Sequence, residues 1–219
     1  MRQPEHVLRA MRRLLTPDEE DRAARYRFDR DRHAFECTRA ALRTLAGRYS
    51  GLAPAEVRFS YGSKGKPGTT GISFNASSSG DVALAAFSSS GLVGVDVEAM
   101  RPDVSVRALA RRFFSVPENE ALEGLAEQDL VAGFYRCWTR KEAFVKALGE
   151  GLSFDLGRVE VSTGGSARVV SIDGDRAAAE RWSMRDLAPR PGYAGVVAVD
   201  SPDAEVSLWD WPGLEVAAV

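Results

Sequence analysis

The chain has 219 residues, 44% hydrophobic and 27% charged, the balance of an ordinary folded protein with room for one large domain or two small ones. A net charge of −2 removes the global basic field of a nucleic-acid binder, and no apolar run reaches the length that spans a bilayer. The first fifteen residues lack the apolar core of a signal peptide, and two cysteines, Cys37 and Cys137, make no disulfide framework, so buried thiols in a cytoplasmic protein are expected.

In chain order, residues 1–15 are basic and weakly patterned, a lead-in or a short strand. Thr16-Pro17-Asp18-Glu19-Glu20 opens a helix, with Thr at the N-cap, Pro at N1 and Glu19 at the capping-box position. That helical region runs to about Ala46 with a break near Phe28-Asp29, and Gly47 is its expected cap. Arg22, Arg25, Arg27, Arg30 and Arg32 form an arginine-rich stretch, read mainly as a solvated face with a few phosphate or partner contacts. Val57 to Tyr61 alternates as a strand, and 62–71 is a loop containing Lys66 before Pro67. Ile72 to Asn75 resumes a strand, and Ser77-Ser78-Ser79-Gly80 reads as a turn able to hold an anion. Val82 to Phe87 reads as a strand buried on both faces, and Leu92 to Glu98 as the next. Helices are expected from Ser105 to Arg112 and from Ser115-Val116-Pro117-Glu118, with a break at Gln128-Asp129. Strands follow at Val159 to Val161, Arg168 to Ile172, within Ala177 to Leu187, at Tyr193 to Val199 and, more weakly, at Glu205 to Trp209.

Two stretches carry chemistry. In Gly94-Val95-Asp96-Val97-Glu98 the two carboxylates share one face of a strand, roughly 6.5–7 Å apart along the backbone, close enough to converge on one ion. In the helix Phe134 to Leu148, stopped by Gly149, Trp138, Glu142 and Lys146 share one face at i, i+4, i+8 with Lys141 beside them. Taken singly, the first is also an exposed polar strand end and the second a surface ion pair worth about 0.2–0.5 kcal/mol. Two histidines, His6 and His33, make a His-rich metal site or a Ser-His-Asp triad a poor expectation. Oxygen ligands and a hard cation fit better. Elements also recur at an offset of about 100–112 residues, Gly51-Leu52 and Val57 being echoed by Gly151-Leu152 and Val159. The expected architecture is α+β: two similar halves, 1–100 and 101–219, each a long helix on an antiparallel sheet, with the site between them.

The pairing of Gly94-Val95-Asp96-Val97-Glu98 with Trp138-Thr139-Arg140-Lys141-Glu142-Ala143 and Lys146 resembles the 4′-phosphopantetheinyl transferase superfamily. Gly65-Lys66-Pro67, Ser73-Phe74-Asn75, Ser77-x-Ser79-Gly80 and Arg112-Phe113-Phe114-Ser115 extend the likeness over roughly Thr16 to Gly195. Length and layout resemble the Sfp-type, surfactin-synthetase-activating branch. The resemblance implies that a carrier-protein serine attacks the β-phosphate of coenzyme A, taking phosphopantetheine and releasing adenosine 3′,5′-bisphosphate. It implies Mg²⁺ on Asp96, Glu98 and Glu142, and Lys146 at the diphosphate and leaving group. It implies Lys141 at a phosphate, Lys66 with Pro67 near the adenine end, and Ser77, Ser78 and Arg22 at coenzyme A. Glu142, or a water on the metal beside it, is the implied base.

The chain departs from the family at Ser78, where histidine is frequent, and at Glu19, where a basic residue is frequent; Arg30 and Arg32 are candidates to compensate. Acidic carrier proteins, polyketide or nonribosomal-peptide carriers by the branch's analogy, are the implied partners. Arg107, Arg111 and Arg112 near Phe113-Phe114 are the local basic patch for them, and a monomer is expected. The competing reading is a coenzyme A- or carrier-binding module without catalysis.

Overall fold

The computed structural model describes residues 3–211, the side chain of Leu152 excepted. It is a mixed α+β protein built with antiparallel sheets. Two compact units emerge: one holds residues 3–60, 69–72 and 207–211, the other 61–68 and 73–206. Residue 100, the expected division between halves, falls inside the second unit.

The first unit is helical. α1 (Glu5–Arg12) occupies the stretch expected as a lead-in or strand. Its Leu8 and Met11 pack on Cys37 and Ala40, with Val7, Leu14 and Leu15 around them, an i, i+3/i+4 pattern that the arginines dilute. α2 (Pro17–Ala24) starts as expected, the Glu19 carboxylate accepting the Thr16 N–H at 3.0 Å. α3 (Asp29–Ser50) follows after the expected break. It ends at Gly51, φ 69°, and not at Gly47. Gly47 is inside the helix for a different reason: a Cβ there would come 2.6 Å from the Leu52 carbonyl oxygen.

The second unit begins with two short strands, β1 (Ser60–Tyr61, its first residue belonging to the first unit) and β2 (Pro67–Gly68). Residues 54–56 form a single 3₁₀ turn, so the strand expected from Val57 shrinks to β1. β3 (Ser73–Ser79) and β4 (Val82–Ser88) make a hairpin. The serine run lies within β3, and the turn is Gly80-Asp81. β4 is buried mainly at Val82 and half-exposed elsewhere, so it is not covered on both faces. β5 (Val93–Ala99) pairs along its whole length with β9 (Tyr193–Val199), which pairs with β8 (Ser183–Leu187). A short helix, α7 (Ala177–Glu180), occupies the start of the segment expected as strand. β6 (Val159–Val161) and β7 (Val169–Ile172) form a separate hairpin. Residues 205–210 carry no strand.

α4 (Val106–Phe113) and α5 (Val116–Glu123) precede α6 (Glu127–Leu148). α6 starts seven residues before the expected Phe134, because Glu127 and Asp129 are first-turn acids at the positive end of the helix and not a break. It is the core helix. Phe134, Cys137, Ala143, Phe144 and Ala147 are buried with Val196 and Ala198 of β9, and Phe134 stacks on Phe114. No helix is long and apolar enough to cross a membrane among the described residues.

Candidate active site

β5 divides its side chains as its period of two requires. Val93 and Val95 enter an apolar layer with Val197 and Val199. Gly94, Asp96 and Glu98 therefore take the opposite face. Gly94 lets α6 lie against the strand: a Cβ there would stand 2.0 Å from the Ala143 carbonyl oxygen and 2.3 Å from the Ala147 nitrogen. Ala143 and Ala147 are fully buried at this crossing, and Glu142 and Lys146 flank them on the same helix. Close approach at one glycine thus sets the acids of β5 beside the acid and lysine of α6.

Asp96 is 1% exposed. Its Oδ1 accepts from Lys146 Nζ at 2.6 Å and from Ser77 Oγ at 2.9 Å, while its Oδ2 is buried with no hydrogen-bond partner. Glu98 accepts from Ser79 Oγ at 2.9 Å. Burial pushes the Glu98 and Glu142 carboxyls above the usual carboxylate range, and the negative charge of Asp96 adds to both. Lys146, with its side chain 30% exposed, forms an ion pair with Asp96 in this cluster.

The donor set is that of a hard cation. Oxygen ligands, an orphaned buried carboxylate oxygen on Asp96 and the raised carboxyls of Glu98 and Glu142 all describe uncompensated negative charge. Among the described residues no three acidic, histidine or cysteine side chains are already grouped to hold an ion. Mg²⁺ does not require that, since it retains waters and takes one or two carboxylates with substrate phosphates. The residues fit the metal.

The other lysines are placed differently from expectation. Lys141 is fully buried, its ammonium on the Glu118 carboxylate at 2.5 Å and on the Val159 carbonyl. It is unavailable to a phosphate: one residue along a helix turns it about 100° away from Glu142. Glu118 also accepts the Ser115 and Val161 N–H groups, each at 2.8 Å. Lys66 donates to the Ala147 carbonyl at 2.6 Å and the Val93 carbonyl at 3.0 Å, tying the C-terminus of α6 to the start of β5. Burial lowers its pKa to about 8. Its ammonium is committed to main chain and not free for the adenine end, while the adjacent Pro67 is half-buried. Ser77 is likewise committed to Asp96 and Lys146, whereas Ser78 points to solvent.

In the first unit, Arg22 lines an open groove of about 620 Å³ with Asp18, Arg25 and Tyr26. Glu19, where a basic residue was expected, is buried as the counter-ion of Arg43 at 2.7 Å and Arg39 at 3.4 Å. It holds α2 to α3. Asn75, Ser79 and Gly94 stand within the quoted motifs without a role of their own, and Glu118 is read there only as part of a helix start. The alternation Asn75-x-Ser77-x-Ser79 was the available signal for two of them, and Glu118 reads as an ordinary helix cap.

A sequence model described as the 4′-phosphopantetheinyl transferase superfamily matches residues 92–198, the segment holding Asp96, Glu98, Glu142 and Lys146. A second, described as the N-terminal part of a 4′-phosphopantetheinyl transferase, matches residues 3–90. The 4′-phosphopantetheinyl transferase HetI of Nostoc sp. is 34% identical over 95% of this chain and 88% of its own length. The chain belongs to the 4′-phosphopantetheinyl transferase superfamily. The transferase Sfp of Bacillus subtilis is 29% identical over 87% of this chain and 84% of its own length. The transferase AcpT of Salmonella typhi is 42% identical over 41% of this chain and 48% of its own length. The protein is thus an enzyme of the phosphopantetheinyl transferase class, which acts on carrier proteins with coenzyme A as substrate.

Proposed function

We propose that this chain transfers 4′-phosphopantetheine from coenzyme A to a serine of an apo carrier protein in a Mg²⁺-dependent reaction, with adenosine 3′,5′-bisphosphate as the second product. The observation that carries the reading is Asp96, a buried carboxylate with one oxygen held by Lys146 and Ser77 and the other without a partner. Asp96, Glu98 and Glu142 would hold the metal. When bound, it neutralises the diphosphate and favours attack at phosphorus.

The chain's own residues do the remainder. The carrier serine oxygen forms a bond to the β-phosphorus, and the bond from that phosphorus to the bridging oxygen breaks. Glu142, whose carboxyl is raised by burial and by Asp96, is suited to take the serine proton. Lys146, half-buried beside Asp96, would serve the departing oxygen as a positive partner. Exposed Ser78 offers coenzyme A a hydroxyl donor.

Carrier docking is assigned to α4. Arg111 and Arg112 end that helix, Arg112 lies over the Phe113 ring, and Arg107 pairs with Glu127. Phe114 is core, stacked on Phe134, and takes no part. An acidic carrier would meet Arg111 and Arg112. The shared length with Sfp supports polyketide or nonribosomal-peptide carriers. A cytoplasmic monomer completes the proposal, all acids of the cluster being on one chain.

The test is intact-mass spectrometry of an apo carrier protein incubated with the chain, coenzyme A and Mg²⁺. A gain of roughly 340 Da, one phosphopantetheine on the nucleophilic serine, that disappears with chelator is the expected result. Transfer that persists undiminished in chelator would reject the metal dependence.

A further inference from the structure

β3 and β5 lie side by side, yet β3 offers β5 side chains and not main chain. Asn75 Oδ1 accepts the Val95 N–H at 2.9 Å, Ser77 Oγ the Val97 N–H at 3.4 Å, and Ser79 Oγ the Ala99 N–H at 3.0 Å. Three alternate side chains of one strand thus satisfy three alternate amides of the other. The two serines have a second task. A hydroxyl whose oxygen accepts from the main chain directs its own proton elsewhere. Ser77 donates to Asp96 Oδ1 and Ser79 to Glu98 Oε2, each at 2.9 Å. Ser77 Oγ also accepts from Lys146 Nζ at 2.8 Å, which leaves its proton no other direction.

We infer that Ser77 and Ser79 are positioning residues that fix which oxygen of each acid is presented to the cation. The inference rests on the reading of Asp96, Glu98 and Glu142 as metal ligands. Each serine binds one carboxylate oxygen and leaves the other outside the ladder. At Asp96 the oxygen left over is Oδ2, buried and unpartnered. The amide ladder holds the serines, the serines hold one oxygen of each carboxylate, and the other oxygen stays outside the ladder. Partners of this kind change metal affinity by about 10–100-fold in metalloproteins. Serine, a weak strand former, is tolerated in β3 because both ends of each hydroxyl are used.

Ser79 offers the cleaner test, because it is half-buried where Ser77 is buried. Mn²⁺, read by water-proton relaxation, is titrated into the full chain with coenzyme A present. Wild type, Ser79→Ala and Ser79→Thr are compared, with thermal melts in chelator as the check on folding. The expected result is a Kd for Mn²⁺ raised about 10–100-fold in Ser79→Ala, largely recovered in Ser79→Thr, with metal-free melts of all three within a few degrees. Ser77→Ala should weaken Mn²⁺ in the same sense. Wild-type affinity in Ser79→Ala, or failure of Ser79→Thr to recover it, would overturn the inference. Wild type that transfers phosphopantetheine in chelator and binds no Mn²⁺ would reject the metal reading itself, and the positioning role with it.

Discussion

Lys141 and Lys146 are five residues apart on α6 and lead different lives. Lys141 is enclosed on all sides, its ammonium on Glu118 and the Val159 carbonyl, joining α5, α6 and β6. Lys146 is half-exposed and shares Asp96 with Ser77 while Glu142 and Glu98 stand near with raised pKa values. The first pair is complete: Glu118 accepts from a lysine and two amides. The second is a cluster of three acids in which Lys146 pairs with Asp96, Arg101 and Lys146 only partly offset the charge at Glu98, and one Asp96 oxygen is orphaned. A single short motif therefore contains a structural half and a chemical half, and which is which follows from helical phase and not from residue type.

The largest effect expected from this contrast is on stability. Lys141→Met leaves Glu118 buried without its cation and should cost about 3–5 kcal/mol, read by urea denaturation. Folded protein should keep its KM for coenzyme A. A KM raised tenfold or more with unchanged stability would return Lys141 to the phosphates and erase the contrast.

Lys146→Met should lower kcat about 10²–10³-fold, the scale of losing one preorganised charge at a developing anion. It should also destabilise the metal-free protein by about 1–3 kcal/mol, since Asp96 loses its partner. Mg²⁺ should restore that loss, because a cation can replace Lys146 at Asp96. No cation can do so for Lys141→Met. A Lys146→Met protein that Mg²⁺ does not stabilise would break the comparison.

Gly94→Ala tests the close crossing that both lysines depend on. A methyl group forced against the Ala143 carbonyl should cost about 1–3 kcal/mol and lower transfer by moving Glu142 off β5. Unchanged melting and turnover would show that α6 has room to shift.

The smallest effect concerns pH. Raised carboxyl pKa values mean that the native state binds protons more tightly than the unfolded chain. The cost of the charged acids is then full above the raised values and fades as pH falls through them towards the ordinary 4.5. Metal-free Glu142→Gln should therefore melt roughly 1–3 °C above wild type at pH 7–8, and the difference should vanish near pH 4. A variant that melts lower at pH 7–8 would contradict the repulsion.

Much of this site was legible because it obeys simple periods. Asp96 and Glu98 share a face by alternation, and Glu142 and Lys146 by a four-residue step. The start of α2 at Thr16 and the end of α6 at Gly149 were legible from caps. What was hidden depends on partners distant in sequence. Nothing near Lys141 announces Glu118, 23 residues earlier, whose acid looks like a surface cap. The serine run looks like a turn because serine favours turns, but pairing with β4 makes it a strand, and its hydroxyls meet amides of β5 that lie about 20 residues away. α1 hid its Leu8 and Met11 among arginines, and α6 hid its first two turns behind acids that mark a beginning.

The central claim is that Asp96 anchors a divalent cation between β5 and α6. The most direct test is the melting temperature of wild type and Asp96→Asn during MgCl₂ titration with saturating coenzyme A. At a hundredfold excess over Kd, wild type should rise by roughly 5–10 °C while Asp96→Asn stays flat. Equal rises in the two proteins would place the cation elsewhere and contradict the account.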